Sequence, residues 1–201
     1  MDGTFRLIPG VEADTAGICA GFSRTDTNNL LIQLGADERG RVVTALFNKL
    51  KAPLFFIAEL PCTEQEEAGL RKNDETAFHY HVYYLDGCTH DTAAQLLRRY
   101  GDLLFSDGLI RFGFGSHADN AEVFCVKYQL TRIYAADTAP FEAVLTKNSI
   151  PQCGELKTLW DTFTADTPGT CAAVEIDGED IFTMVEELCE VGLYLSHTAE
   201  E

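Results

Sequence analysis

An α+β fold, with an antiparallel sheet built from paired strands and helices packed on one face, is predicted by three features of this sequence. Extended apolar segments come in adjacent pairs, helical patterning falls between those pairs, and the composition is that of a chain with a substantial core. Alternating single strands and helices would instead imply a parallel sheet. Of 201 residues, 46% are hydrophobic and 23% charged, close to folded globular domains and far from disordered chains. A chain of this size buries roughly 70% of its unfolded surface, so its stability needs no disulfide or metal staple.

The elements follow in order. Thr4 to Ile8 reads as a short strand before Pro9-Gly10, and Leu30 to Leu34 as another after a polar run. From Ala36 to Ala52 the residues Val43, Leu46, Phe47 and Leu50 recur at helical spacing, with Asp37 and Glu38 where the helix dipole favours anions, and Pro53 is taken as the stop. Leu54 to Leu60 is an apolar run of strand length closed by Pro61, and Phe78 to Leu85 is a second strand stopping at Asp86-Gly87. The polar segment Thr63 to Glu75 between them is a loop or a short exposed helix, which makes the two strands antiparallel neighbours. A helix is predicted over His90 to Phe105, capped by Thr89 or Asp91, with Ala94, Leu97, Gly101 and Leu104 on its apolar stripe and Ser106-Asp107-Gly108 as its end. Leu109 to Gly115 and Glu122 to Ala135 form a hairpin about the turn Ser116 to Asn120. Helices are expected over Pro140 to Leu145, Gly154 to Phe163 and Glu179 to Val191, with a strand from Cys171 to Ile176. Residues 1–201 read as a single domain, and Pro151-Gln152-Cys153-Gly154 marks where an acidic C-terminal subdomain, 151–201, would begin.

Charge and cysteine usage exclude several classes. Fifteen basic against 32 acidic side chains leave a formal net charge of −17. That field repels nucleic acids and anionic membranes, whose binding depends on Lys and Arg. Residues 151–201 hold one basic and twelve acidic side chains, and so carry −11 of the total. This is either a solvated acidic face or a docking surface for a basic partner. The seven cysteines are never closer than 18 residues, so no short zinc or redox spacing exists. They read as reduced thiols of a cytoplasmic protein. The first residues show no secretory pattern, and no apolar run is long enough to span a membrane.

Few residues suggest chemistry. His79 and His81 are two apart on a predicted strand and share a face. Such pairs occur in metal sites, and Asp86, Cys88, His90 or His117 would supply a further ligand; the alternative is the ordinary polar face of a half-solvated strand. Phe112-Gly113-Phe114-Gly115-Ser116-His117-Ala118 contains a GxGxxA string, but a strand rather than a helix follows, which argues against dinucleotide binding. Gly113 and Gly115 then leave room on one strand face for a bulky neighbour or a ligand. There is no GxSxG elbow, phosphate loop or HExxH helix. No cofactor and no resident metal are expected.

In size, acidity, cysteine usage and paired-strand patterning, the chain resembles small bacterial proteins that act by binding another protein, such as toxin-neutralising immunity proteins and secretion chaperones. The resemblance is one of general character and implies a non-enzymatic module with a protein partner of basic surface, no nucleic acid and no membrane. Glu186, Glu187 and Glu190 are the candidate partner surface, together with the aromatic sheet. The rival expectation is a small enzyme or ligand-binding domain whose pocket gathers His79, His81 and His117 beside Gly113 and Gly115.

Overall fold

The computed structural model describes residues 5–71 and 77–200, which form the predicted α+β fold. In chain order they make β1 (Val11–Glu12), β2 (Gly21–Arg24), β3 (Asn29–Gln33), α1 (Ala36–Phe47), β4 (Leu54–Pro61), α2 (Glu64–Leu70), β5 (His79–Cys88), α3 (His90–Ser106), β6 (Arg111–Ser116), β7 (Ala121–Cys125), β8 (Leu130–Tyr134), α4 (Ala139–Lys147), a 3-10 turn (Leu159–Thr162), β9 (Thr170–Cys171), α5 (Ile181–Glu190) and β10 (Tyr194–Glu200). Eight strands form one sheet in the order β10-β5-β4-β6-β7-β8-β3-β2, and β1 and β9 make a separate ribbon. Every neighbouring pair is antiparallel.

Register decides which side chains meet, because directly opposed residues share a face. Phe56 lies opposite Leu85 and Phe114, Ala58 opposite Tyr83 and Phe112, and Leu60 opposite His81. This face joins the helices in one hydrophobic cluster, which takes Val43, Leu46 and Phe47 from α1, Leu96 and Leu104 from α3, Phe141 and Leu145 from α4, and Met184 and Leu188 from α5. Each such side chain contributes roughly 1.5–3 kcal/mol when fully buried. The C-terminal residues therefore supply α5 to the shared core and β10 to the sheet, where it pairs with β5. Ile57, Tyr80 and Val82 project from the second face and are buried without belonging to that cluster.

Several boundaries differ from the sequence expectation. Thr4 lies outside the described residues, and residues 5–8 are irregular rather than a strand. Helix α1 stops at Phe47, well before Pro53, because Lys49 and Leu50 donate to carbonyls three residues back and tighten the last turn. The buried face of α3 is rotated by about one residue: Ala93, Leu96, Tyr100 and Leu103 are buried beside Gly101 and Leu104, while Ala94 is exposed and Leu97 half-buried. The segment expected as one strand from Glu122 to Ala135 is two, split by a turn in which Tyr128 (φ 57°) and Gln129 (φ 60°) are left-handed. The buried Gln129 amide holds that turn. Its oxygen accepts from Ile8 N–H at 2.9 Å, and its nitrogen donates to the carbonyls of Leu34 (2.9 Å) and Arg6 (3.1 Å). The helix expected over Gly154 to Phe163 shrinks to a 3-10 turn whose Leu159 N–H donates to the Gln33 side chain at 3.2 Å. The strand expected over Cys171 to Ile176 reduces to Thr170–Cys171.

Candidate functional site

The densest cluster of chemically active side chains forms where β4 runs out, α2 begins and β5 starts. Cys62 follows the last residue of β4, and its N–H donates to the His79 carbonyl at 3.0 Å, so the pairing of β4 with β5 carries on just past the strand. That extension sets Cys62 beside His81, with Sγ 3.6 Å from Nε2. Helix α2 opens with a capping box. The Thr63 hydroxyl accepts from Glu66 N–H (3.3 Å), while Glu66 Oε2 accepts from the Thr63 N–H and hydroxyl (both 2.8 Å). One Glu66 oxygen is thereby fixed, and the other, Oε1, meets His81 Nε2 at 3.0 Å. On the far side of the ring, His81 Nδ1 lies 3.1 Å from the Thr198 hydroxyl of β10. Next along the strand, His79 is buried with its Nδ1 3.1 Å from Glu67 Oε2, and Glu67 Oε1 accepts from the His79 N–H.

The electrostatics follow from these contacts. The Thr63 N–H, the His81 ring and the Thr63 hydroxyl together hold the Glu66 carboxyl down to about 2. Burial pushes the Cys62 thiol up, and the carboxylates of Glu66 and Glu67 add to the effect. Cys62 and Glu66 both face the same ring nitrogen of His81. An acid–base relay would place them on opposite nitrogens.

The histidine pair is thus part of a polar cluster, but not with the partners the sequence suggested. His117 lies in the turn between β6 and β7 and stacks on Phe55, ring centroids 4.8 Å apart. Phe55 projects from the second sheet face, and Ser116 pairs with Leu54, at the opposite end of β4 from Leu60 and His81. Asp86 and Cys88 sit toward the far end of β5, and His90 opens α3. The structure therefore does not gather His79, His81 and His117 into one pocket. Gly113 and Gly115 also belong to the second face. A Cβ on Gly115 would come within 2.1 Å of the Phe55 ring, so this glycine makes room for a bulky neighbour.

The second face carries charge that sequence reading missed. Arg111 covers the Tyr80 ring, 3.7 Å from its centroid, and its Nε lies 2.7 Å from Glu59 Oε2, a close ionic contact not aligned as a hydrogen bond. Arg111, Lys127, Arg132 and Trp160 line a shallow cleft of about 400 Å³. Burial raises both Glu59 and Glu122 above the usual glutamate range. Arg111 opposes this at Glu59, whereas the Glu59 charge adds to it at Glu122. A carboxyl raised on folding binds more protons when folded, so its stabilisation is present at low pH and is lost as pH climbs from the unfolded value of about 4.3 through the raised folded one. Glu122→Gln removes that charge, and we expect it to raise stability near neutral pH by about 1 kcal/mol, the gain disappearing in acid. Denaturant titrations across the pH range measure this, and equal stability of variant and parent at neutral pH would contradict it.

The third region is the outer surface of α5 and β10. Helix α5 is capped by Asp180, whose Oδ1 accepts from the N–H groups of Phe182 (3.0 Å) and Thr183 (2.8 Å), and buries Ile181, Met184, Val185 and Leu188. Phe182, Glu186 and Glu190, spaced four apart, are left on one exposed stripe. Glu187 is exposed as well but engaged: its carboxylate accepts from the Tyr100 hydroxyl at 2.7 Å and lies 3.7 Å from Arg99. With burial, that hydrogen bond pushes the Tyr100 hydroxyl up to about 12. Of the eight large hydrophobic side chains exposed among the described residues, Phe182, Val191, Tyr194 and Leu195 all fall within residues 182–195. Half of them therefore fall in this short C-terminal segment, Phe182 on the α5 stripe with Glu186 and Glu190, and Tyr194 on the second sheet face, where it lies opposite Tyr84 and its hydroxyl donates to Asp86 at 2.8 Å.

No family profile matches this chain, and no curated protein or solved structure matches it either. No helix among the described residues is long and apolar enough to cross a membrane.

Proposed function

We propose that the protein is a non-enzymatic binding module that docks a protein partner of basic surface through the outer stripe of α5 and the edge strand β10. The observation that carries this reading is Phe182 exposed on one stripe of α5 with Glu186 and Glu190, followed by the exposed Val191 and Leu195, in the segment that holds −11 of the net charge. Apolar side chains exposed together mark an interaction surface, and the carboxylates among them select a cationic counterpart and speed its approach. The same field disfavours polyanions, so a nucleic-acid partner does not fit. Glu187, tied to Tyr100, serves the fold more than the surface, which narrows the expected acidic contacts to Glu186 and Glu190.

The test is a titration of a partner captured by the parent protein, identified and then purified. The double reversal Glu186→Lys with Glu190→Lys is expected to weaken binding by about tenfold or more, mainly through slower association, and added salt should weaken the parent more than the variant. A partner that binds parent and variant equally at low salt would overturn the proposal.

A further inference from the structure

We propose that Cys62, Glu66 and His81 form a binding site for a divalent transition metal of zinc character. The ligand atoms are a thiol sulfur, an imidazole nitrogen and a carboxylate oxygen, the donor types zinc takes, and all three lie within 4.8 Å of one another. Zinc bond lengths of about 2.3 Å to sulfur and about 2.0–2.1 Å to nitrogen and oxygen put tetrahedral ligand atoms roughly 3.4–3.6 Å apart. The Cys62–His81 separation of 3.6 Å already has that value, and the Glu66–His81 separation of 3.0 Å needs to open by only a few tenths of an ångström.

The supporting contacts are those a metal site needs. His81 Nε2 points at both other ligands, while Nδ1 faces the Thr198 hydroxyl, which accepts the Nδ1 proton when Nε2 is given to a metal. Thr63 grips Glu66 Oε2 and leaves Oε1 aimed at the histidine. The three ligands come from separate backbone devices, the extension beyond β4, the first turn of α2 and the register of β5, so the fold places them before any ion arrives. Binding exchanges the Cys62 proton for the metal and releases it to water. Three protein ligands leave the fourth tetrahedral position to solvent, consistent with Glu66 having 45% of its side chain exposed. The site draws Thr198 from β10, the strand that also borders the proposed docking surface, and its metal would fasten α2 to the sheet.

The experiment uses the full untagged chain, stripped with a chelator and titrated with zinc(II) or cobalt(II) salts alone. We expect one ion per chain, a thiolate-to-cobalt charge-transfer band with the intense visible absorption of a tetrahedral ion, and protection of Cys62 from alkylation by bound zinc. Cys62→Ser should abolish the band, and His81→Ala should weaken zinc binding by about 100-fold. Thr198→Val should weaken it by about 10-fold, and Cys189→Ser should leave the band intact. No charge-transfer band in the parent, a band that survives Cys62→Ser, or alkylation of Cys62 at the same rate with and without zinc would each overturn the proposal. The alkylation measurement reads the parent protein and does not depend on a variant folding.

Discussion

Replacing Gly108 with alanine is expected to cost about 4 kcal/mol or more and to leave little folded protein at physiological temperature. Gly10 and Gly108 pass so close that a Cβ on Gly108 would lie 1.8 Å from the Gly10 carbonyl oxygen. The obstacle is backbone, which no rotamer change relieves. Three main-chain bonds lock the crossing: Gly10 N–H to the Ser106 carbonyl at 2.8 Å, Gly108 N–H to the Ala172 carbonyl at 3.0 Å, and Ala172 N–H to the Gly10 carbonyl at 2.9 Å. The end of α3 is therefore braided with the N-terminal segment and with the chain following β9. Gly101→Ala provides the control, because an added Cβ there meets nothing within 4 Å, and alanine favours the helix. Thermal and denaturant unfolding of the two variants measure the contrast, and a Gly108→Ala protein as stable as the parent would contradict this picture of the crossing.

Asp107, the neighbouring residue, gives the second large effect. It is buried, and its carboxylate accepts from the N–H groups of Leu109 (2.7 Å) and Ile110 (2.9 Å) at one oxygen and of Val174 (2.8 Å) at the other. Burial nevertheless raises its pKa, with these three bonds acting against the rise. Asp107→Asn keeps the shape but turns one acceptor into a donor, so an N–H group is left facing an NH₂ group. The expected loss is about 2 kcal/mol, within the range for leaving a buried backbone donor without a partner. Because the folded pKa of the parent is raised, the group's own contribution is fully present below the unfolded value of about 3.9 and is lost as pH rises through the folded one, so the deficit of the variant should be largest below that unfolded value and shrink toward neutral pH. Unfolding free energies of both proteins across pH read this directly, and an unchanged stability at every pH would contradict the assigned contacts.

How much of this could be read in the sequence follows from what each element depends on. The central strands were legible because Leu54 to Leu60 and Phe78 to Leu85 are apolar and aromatic runs, although β4 includes Pro61 and β5 does not stop at Asp86-Gly87 but continues through them to Cys88, which pairs with Leu54. Strand β10 was not, because all but one of its residues are exposed and Ser196-His197-Thr198-Ala199 shows no apolar alternation. The break at Tyr128 and Gln129 carries no glycine or asparagine, and it is imposed from outside by the Gln129 amide and by the Tyr128 hydroxyl donating to the Gly169 carbonyl at 2.9 Å. At the candidate metal site, the shared face of His79 and His81 was visible from their spacing alone. Cys88, one of the four further ligands that spacing offered, lies out of reach of His81, because seven residues along a strand span about 23 Å. The signal that was present and unused is Thr63-Glu64-Gln65-Glu66, read only as loop or exposed helix. As a capping box it directs Glu66 back toward Cys62. The acidic C-terminal stretch was legible as charge, whereas the division between the engaged Glu187 and the free Glu186 and Glu190 needed the position of Tyr100.

Hydrogen exchange of the protein with and without its purified partner tests the docking surface most directly. The account predicts that slowed exchange is confined to α5, the turn at Val191 to Leu193 and β10, and that it is lost in the Glu186→Lys, Glu190→Lys protein. Protection centred instead on β2, β3 and α4, with residues 181–200 exchanging as fast as in the free protein, would contradict it.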